Sequence, residues 1–378
     1  CSGMSASGAP GLSGLFGDLI GQSLAVDLLS AALAQERVAP AYLFAGPEGV
    51  GRQLAAVRFL EGLLADGQPS ARERRRLLER NHPDLFWVEP TYQHQGRLLT
   101  RAEAEEAGLS RRTPPQLRLE QIRDIGRCLA RQPVEAKRGM VVIEAAEAMA
   151  EAAANALLKT LEEPGHVVLI LLTSAPERLL STIRSRCQCM RFHPLSETHL
   201  RELIQETADI ENPQRAEILA GIEGVGLAES LLWAEDAFWN FRGELLNALS
   251  RVPPAIDALT NVVQMFVDQE KTPIERRKRM VLTFRLAAYF HRALLRWAVH
   301  ADAGLPEDHP LDSEERLSLA VSTASQSLSQ GDGNTIDTLS RMVARSLAAE
   351  QQTEQNANPS TVIGCWADDL NACLTVMT

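Results

Sequence analysis

Two periodicities alternate along the first half of the chain. Apolar residues recur at helical spacing from Leu19 to Ala34, and a short unbroken apolar run, Ala41 to Ala45, then has the pattern of a buried strand. Gly46 to Gly51 is glycine-rich, and helical spacing returns from Gln53 to Leu64. Further strand patterns fall at Leu85 to Val88, Gly139 to Ile143, Val167 to Thr173 and Cys187 to Phe192, with helical patterns at Leu119 to Ala130 and Ala148 to Leu161 between them. Strands alternating with helices predict an α/β fold with a parallel sheet covered on both faces. Pro90 to Arg118 is polar and irregular, and its length predicts a surface insertion.

Pro194 closes the last strand pattern, and the remainder of the chain reads as helical. Short helices are expected at Glu197 to Thr207, Pro213 to Ala220 and Gly226 to Trp233. Longer amphipathic ones are expected at Ala237 to Leu249, Ile256 to Asp268, Ile274 to His300, Ser313 to Ser329 and Asn334 to Glu350. The expected organisation is an α/β domain over 14–194 with an insertion at 90–118, a small helical unit over 195–235 and a helical block over 236–378. Residues 1–13 are small and polar, which predicts disorder, and Cys1-Ser2-Gly3 ahead of Met4 reads as an expression scar or a mis-set start.

Composition narrows the class. The 378 residues are 45% hydrophobic and 23% charged, the balance of ordinary globular domains and not of a disordered or fibrous chain. The longest apolar run, Val167 to Leu172, falls far short of the roughly 20 residues that span a bilayer, so no membrane role is expected. The cysteines (Cys1, Cys128, Cys187, Cys189, Cys365 and Cys373) lack both a four-ligand zinc spacing and the density of a secreted disulfide scaffold, which points to a reducing cytoplasm. The net charge of -11 is unevenly placed: residues 1–195 carry 23 basic against 22 acidic side chains, and residues 196–378 carry 15 against 27. A chain with that field is a poor autonomous binder of DNA phosphates, though a larger basic assembly would overcome it.

Gly46-Pro-Glu-Gly-Val-Gly-Arg52-Gln53 sits between a strand pattern and a helix pattern, where a phosphate-binding loop presents backbone N–H groups. The glycine frame of Gly46, Gly49 and Gly51 suits such a loop and equally suits a glycine-rich turn with no ligand. The lysine that would neutralise the outer phosphates is Arg52, a planar fork in place of a compact charge, and the hydroxyl that would ligate magnesium is Gln53. The strand Val141-Val142-Ile143, where an Asp and a second acidic residue would serve metal and water, ends instead in Glu144 and Ala145. Four changes at one site favour loss of hydrolysis over an unusual ATPase. Ser181 to Cys187 forms the connection to the last strand. Arg184 and Arg186 there suit either a solvated loop or a finger reaching a phosphate held on a neighbouring subunit.

Taken together, these residues resemble the bacterial clamp-loader family of AAA+ proteins. The resemblance rests on Phe16-Gly-Asp-Leu-Ile-Gly-Gln22, Ala41 to Pro47, His82-Pro-Asp84, Ala154-Asn-Ala-Leu-Leu-Lys-Thr-Leu-Glu-Glu-Pro164 and Ser185-Arg186-Cys187. It covers residues 14 to 235, and beyond them only Asn356 to Pro359 and the helix that follows. It implies a RecA-like AAA+ domain, a helical lid and a helical collar. It also implies that Arg186 acts as an arginine finger in trans, placed by Ser185 and Cys187, and that Thr173 falls at the sensor-1 position. The lid segment Gly224 to Ala228 lacks the sensor-2 arginine, and Glu61 to Asn81 lacks the cysteines of the family's zinc module, so no zinc is expected.

By this resemblance the chain is a non-hydrolysing subunit of the DNA polymerase III holoenzyme. Its expected partners are motor subunits of the gamma/tau type and a delta subunit, the sliding clamp through the complex, and primed DNA only within the assembly. ATP would be bound by the neighbours, and nucleotide or magnesium binding by Gly46, Gly49, Gly51, Arg52, Gln53, Glu144 and Thr173 is not expected to support turnover. The alternatives are an active ATPase with an atypical loop and a pure scaffold. Solvated surface is the favoured reading of the basic stretch Ala71 to Arg80 and of Arg97, Arg101, Arg111 and Arg112. Packing is the expected role of Phe284, Tyr289, Phe290 and Trp297 behind the run Glu275 to Arg279, and of Met265, Met280 and Met342.

Overall fold

A computed structural model describes residues 14–64, 71–106, 114–129, 132–208, 213–220, 227, 230, 236–270, 272–302, 315–328, 335–354 and 357–375. The expected disorder of 1–13 and most of the expected helix over 226–233 lie outside the described residues. The chain forms two compact units, residues 1–200 and 201–378. In the first, α1 (Ser23–Ala34), β1 (Ala41–Ala45), α2 (Arg52–Leu64), α3 (Ala71–Leu78) and β2 (Leu85–Val88) come first. A hairpin of β3 (Tyr92–His94) and β4 (Arg97–Leu99), then α4 (Arg101–Glu106) and α5 (Leu119–Leu129), lead to β5 (Gly139–Ile143). The unit continues through α6 (Glu151–Glu162), β6 (Val167–Thr173), the single turn α7 (Ser181–Arg184) and β7 (Gln188–Arg191).

Five strands make one parallel sheet in the order β2-β5-β6-β1-β7. Alternate residues of each central strand leave on opposite faces. Tyr42, Phe44, Met140, Val142, Val168 and Ile170 enter one core with Leu29 of α1 and Phe59 and Leu60 of α2. Leu43, Val141, Ile143, Leu169 and Leu171 enter the other with Ile122 and Ile125 of α5, Leu157 of α6 and Ile183 of α7. Two-sided burial explains why these strands are continuous apolar runs with no alternation. Because β1 leads to the distant edge strand β2 while β6 leads across β1 to β7 at the other edge, the connections leave by opposite faces. The carboxyl ends of β1 and β6 therefore form the crevice where ligands bind in open α/β sheets.

Two expectations change here. The 90–118 segment, read as irregular, holds a two-stranded hairpin turning at Gln95 and Gly96, both at positive φ, plus a short helix. Its base is closed by mutual backbone hydrogen bonds between Thr91 and Gln116. The finger segment, read as a loop, begins as the helical turn α7.

In the second unit, the described residues form helices. After α8 (Glu197–Ala208) and α9 (Pro213–Ala220) come α10 (Asp236–Leu249), α11 (Ile256–Asp268), α12 (Pro273–Asp302), α13 (Glu315–Leu328), α14 (Thr335–Glu354) and α15 (Pro359–Thr375). Phe241 and Phe266 stack at 3.7 Å, and Trp366 meets Phe284 edge-on at 5.2 Å while its indole N–H donates to Ser346. Phe284, Phe290, Met280 and Met342 are core residues, as expected. Met265 is not: its side chain is 72% exposed on the outer face of α11. The basic run is tied down locally, with Arg279 lying over Phe266 and donating to the Phe266 carbonyl, and Lys278 paired to Glu275. No helix among the described residues is long and apolar enough to cross a membrane.

Candidate functional site

The glycine-rich loop lies at the carboxyl end of β1, held by contacts that demand glycine. Gly46 donates its N–H to the Thr173 carbonyl, and a Cβ on Gly46 would sit 2.4 Å from the carbonyl oxygen of Phe192. Gly51 has φ +90°, and a Cβ there would meet the Leu19 side chain at 2.5 Å; Gly49 also has positive φ. Leu19 belongs to a strap, Gly14 to Gln22, fastened at two further points. Arg58 of α2 binds the Asp18 carboxylate through Nε, and Gln22 exchanges two hydrogen bonds with the main chain of His193 at 2.8 and 2.9 Å. The guanidinium holds the Asp18 carboxyl below its usual range. Neither anchor had a motif to mark it beyond membership of the Phe16 to Gln22 stretch.

Of the residues on the two metal-ligand positions, Glu144 is already engaged by other side chains. Gln53, in the first turn of α2, favours the charged form of the Glu144 carboxylate at the end of β5, the smallest of the influences on it. The same carboxylate accepts the Trp87 indole N–H at 2.6 Å and the Arg80 guanidinium at 2.7 Å. Arg80 also reaches Glu89 at 3.2 Å and stacks over the Trp87 ring at 4.5 Å. Burial raises the Glu144 carboxyl's pKa, and the charge of Arg80 and the indole hydrogen bond work against that rise. Ala145, the next residue, has a left-handed backbone with φ 44° and ψ 55°.

Arg52 is half-buried. Desolvation weakens its hold on its proton, and the nearby carboxylates of Glu147, Glu48 and Glu144 oppose that effect. Glu147 accepts the Ser174 hydroxyl at 2.6 Å. Burial opposes its ionisation, yet hydrogen bonds from Ser174, Thr173 and the backbone leave its carboxyl below the usual range. The fully buried Thr173 is thus brought beside the loop and Glu147. Arg52 thus already has three carboxylates as electrostatic neighbours.

Sequence reasoning missed Arg80 and Trp87, because one lay inside a basic run and the other inside a strand pattern. That run is not an open cationic face. Arg74 pairs with the buried Glu61 at 2.6 Å, Arg75 with Glu79, and Arg76 with Glu135. Arg80 closes α3 as the left-handed residue of a Schellman cap, with Asn81 N–H bonded to the Arg76 carbonyl and Arg80 N–H to that of Leu77. His82 and Asp84 are also structural. The buried Asp84 carboxylate accepts backbone N–H bonds from Val134, Glu135 and Ala136 at 2.7, 2.8 and 2.7 Å, fixing the turn that leads into β5.

Arg186 stands apart from this cluster, on the connection between β6 and β7. Its Nη1 donates to the Thr182 carbonyl at 3.0 Å, and the Ser185 hydroxyl donates to the same oxygen at 3.1 Å. Its Nη2 donates to Glu162, the last residue of α6, at 3.0 Å. The side chain stays 37% exposed. Cys187 is half-buried, and burial pushes its thiol pKa up to about 11, so it packs as a thiol and not as a nucleophile. Of the lid segment Gly224 to Ala228 only Leu227 is among the described residues, and Arg111 and Arg112 lie outside them.

Residues 21–196 match the family described as "DNA polymerase III, delta subunit". The Bacillus subtilis DNA polymerase III subunit delta' is 30% identical over 232 residues, 60% of this chain and 63% of that protein. Through its α/β unit the chain is similar to the delta-prime branch of the clamp-loader family. The Pseudomonas aeruginosa subunit delta' is 36% identical over 156 residues, 39% of this chain and 42% of the relative. The chain thus spans less than two thirds of the length of these relatives. A crystal structure of a DNA polymerase III gamma subunit-related protein from Thermotoga maritima has 17% identity and a TM-score of 0.38, over 85% of this chain and 99% of that one. The family match runs from Gly21 past the end of β7, so it contains the glycine-rich loop, Glu144, Thr173 and Arg186.

Proposed function

We propose that this chain is a non-hydrolysing clamp-loader subunit of the cytoplasmic DNA polymerase III holoenzyme, contributing Arg186 to ATP held by an adjacent motor subunit. The observation that supports loss of hydrolysis is the bonding of Glu144 to Arg80 and Trp87. The carboxylate at the metal-ligand position is already engaged by the Trp87 indole N–H and by Arg80, which brings its own positive charge to it. These donors do not fit a magnesium nucleotide: Gln53 offers an amide where a hydroxyl is needed, and Ala145 has nothing with which to orient water. The function is therefore read as one exercised on other subunits.

In this reading the gamma/tau-type motor subunits bind and turn over ATP, a delta subunit completes the ring, and the assembly opens the sliding clamp on primed DNA. Arg186 is suited to its part by exposure and by a permanent charge. DNA binding belongs to the assembly, in keeping with the chain's net charge of -11 and the internal pairing of Arg74, Arg75, Arg76 and Arg80.

The test has two parts. The purified chain is expected to show neither ATP turnover nor saturable Mg-ATP binding, and turnover would favour an active ATPase. In a complex reconstituted with motor and delta subunits, Arg186→Ala is expected to lower DNA-stimulated ATPase at least tenfold with assembly intact, below the full effect of removing a finger. An unchanged rate would leave the chain a scaffold.

A further inference from the structure

Arg186 already has partners within its own chain. Two contacts fix its guanidinium plane, Nη1 on the Thr182 carbonyl and Nη2 on the Glu162 carboxylate, each at 3.0 Å. They come from different elements. Thr182 lies in α7, four residues back along the same segment, whereas Glu162 ends α6 on the preceding crossover. An arginine has five N–H donors in a rigid fork. With two engaged, three remain to meet phosphate oxygens, and the plane in which they lie is set before any partner arrives.

We propose that Glu162 is a positioning residue for Arg186, orienting the guanidinium for a triphosphate presented by a neighbouring subunit. This rests on the finger reading above. Preorganisation lowers the ordering cost that a long side chain otherwise meets as charge develops on the phosphate, so Glu162 acts on the rate step more than on nucleotide affinity. Glu162 itself is 56% exposed, so the pair adds little to folding, and its removal leaves the scaffold standing. The Ser185 hydroxyl donates to the same carbonyl that Nη1 uses.

The experiment uses the reconstituted complex and the DNA-stimulated ATPase of its motor subunits, with wild type, Glu162→Ala, Glu162→Gln, Arg186→Ala and the Glu162→Ala/Arg186→Ala pair. Glu162→Ala is expected to lower kcat roughly threefold to tenfold with KM for ATP changed by less than about twofold, the pattern of an interaction lost in the transition state. Glu162→Gln, whose amide oxygen still accepts from Nη2, is expected to recover at least half of the lost rate. In the Arg186→Ala background, Glu162→Ala is expected to add nothing, since the two act as one unit. If Arg186→Ala lowers the rate but Glu162→Ala does not, or if the Glu162 effect persists without Arg186, the positioning role is overturned while the finger reading stands. If Arg186→Ala itself has no effect, both are overturned.

Discussion

Arg80 donates to the Glu144 carboxylate at 2.7 Å although Arg80 sits in a left-handed backbone that favours glycine. The conformation costs about 1–2 kcal/mol for an L-residue. A glycine at the C′ position would cap α3 equally well, so the side chain is what the site requires. Its charge offsets the desolvation of Glu144 and its fork spans Glu144 and Glu89.

Two substitutions at Arg80 separate the backbone from the side chain. Arg80→Ala and Arg80→Gly both remove the guanidinium, but only glycine relieves the left-handed strain. Arg80→Gly is expected to be about 1 kcal/mol more stable than Arg80→Ala in urea denaturation. Both are expected to change Trp87 fluorescence, because the cation leaves its ring. Equal stability of the two variants would argue against the capping geometry.

Asp84 is expected to be among the more costly positions of the first unit to truncate. Asp84→Ala strands three N–H donors at Val134, Glu135 and Ala136, a loss of about 2–4 kcal/mol. Amide hydrogen exchange at Glu135 and Ala136 is the direct readout, and it is expected to accelerate well beyond the global change. Burial works against the Asp84 carboxylate, but the three backbone bonds outweigh it and hold its pKa below the ordinary value. Its contribution is therefore present above about pH 4 and is lost as pH falls through the folded pKa.

His291 gives the second unit a different acid response. Its ring is fully buried, neither nitrogen meets a partner among the described residues, and desolvation lowers its pKa to about 3. The neutral form is the one that folds, so stability is complete above the ordinary histidine pKa of about 6.5 and declines as pH falls from there toward 3. His291→Leu is expected to remove that dependence, with the gap between variant and wild type growing by up to about 1.4 kcal/mol per pH unit across the window. Thermal denaturation of both proteins from pH 7 to pH 4 checks this, and parallel curves would refute it.

The glycine frame is expected to matter for folding whether or not nucleotide is ever bound. At Gly46 a methyl group collides with the main chain of Phe192, which cannot move aside as a side chain can. Gly46→Ala is expected to cost more than about 2 kcal/mol, and Gly96→Ala, in an open turn with positive φ, about 1 kcal/mol. Melting temperatures of the two variants measure the difference. A Gly46→Ala protein as stable as wild type would restore the case that the loop is kept for a ligand.

The strands of the parallel sheet and most of the longer helices were legible in the chain before any folding was considered, whereas α3, the β3–β4 hairpin and α4 were not. Val167 to Thr173 is apolar at every position but its last because both faces of β6 are buried, and that pattern is visible without a structure. So were the glycine frame, its missing lysine and hydroxyl, the truncated acidic pair at Glu144 and Ala145, and Arg186 with its flanking Ser185 and Cys187. Periodicity and local motifs carry that information because they record which face of an element is covered. The contacts of those groups came only with the folded chain. Arg80 and Glu144 are 64 positions apart, Arg186 and Glu162 are 24 apart, and Asp84 holds residues about 50 positions away. An ion pair leaves no period in the sequence, and any of the neighbouring arginines from Arg72 to Arg80 would have served as well on pattern alone. The sheet order brings β2 beside β5, and only then do Trp87, Arg80 and Glu144 meet at one carboxylate.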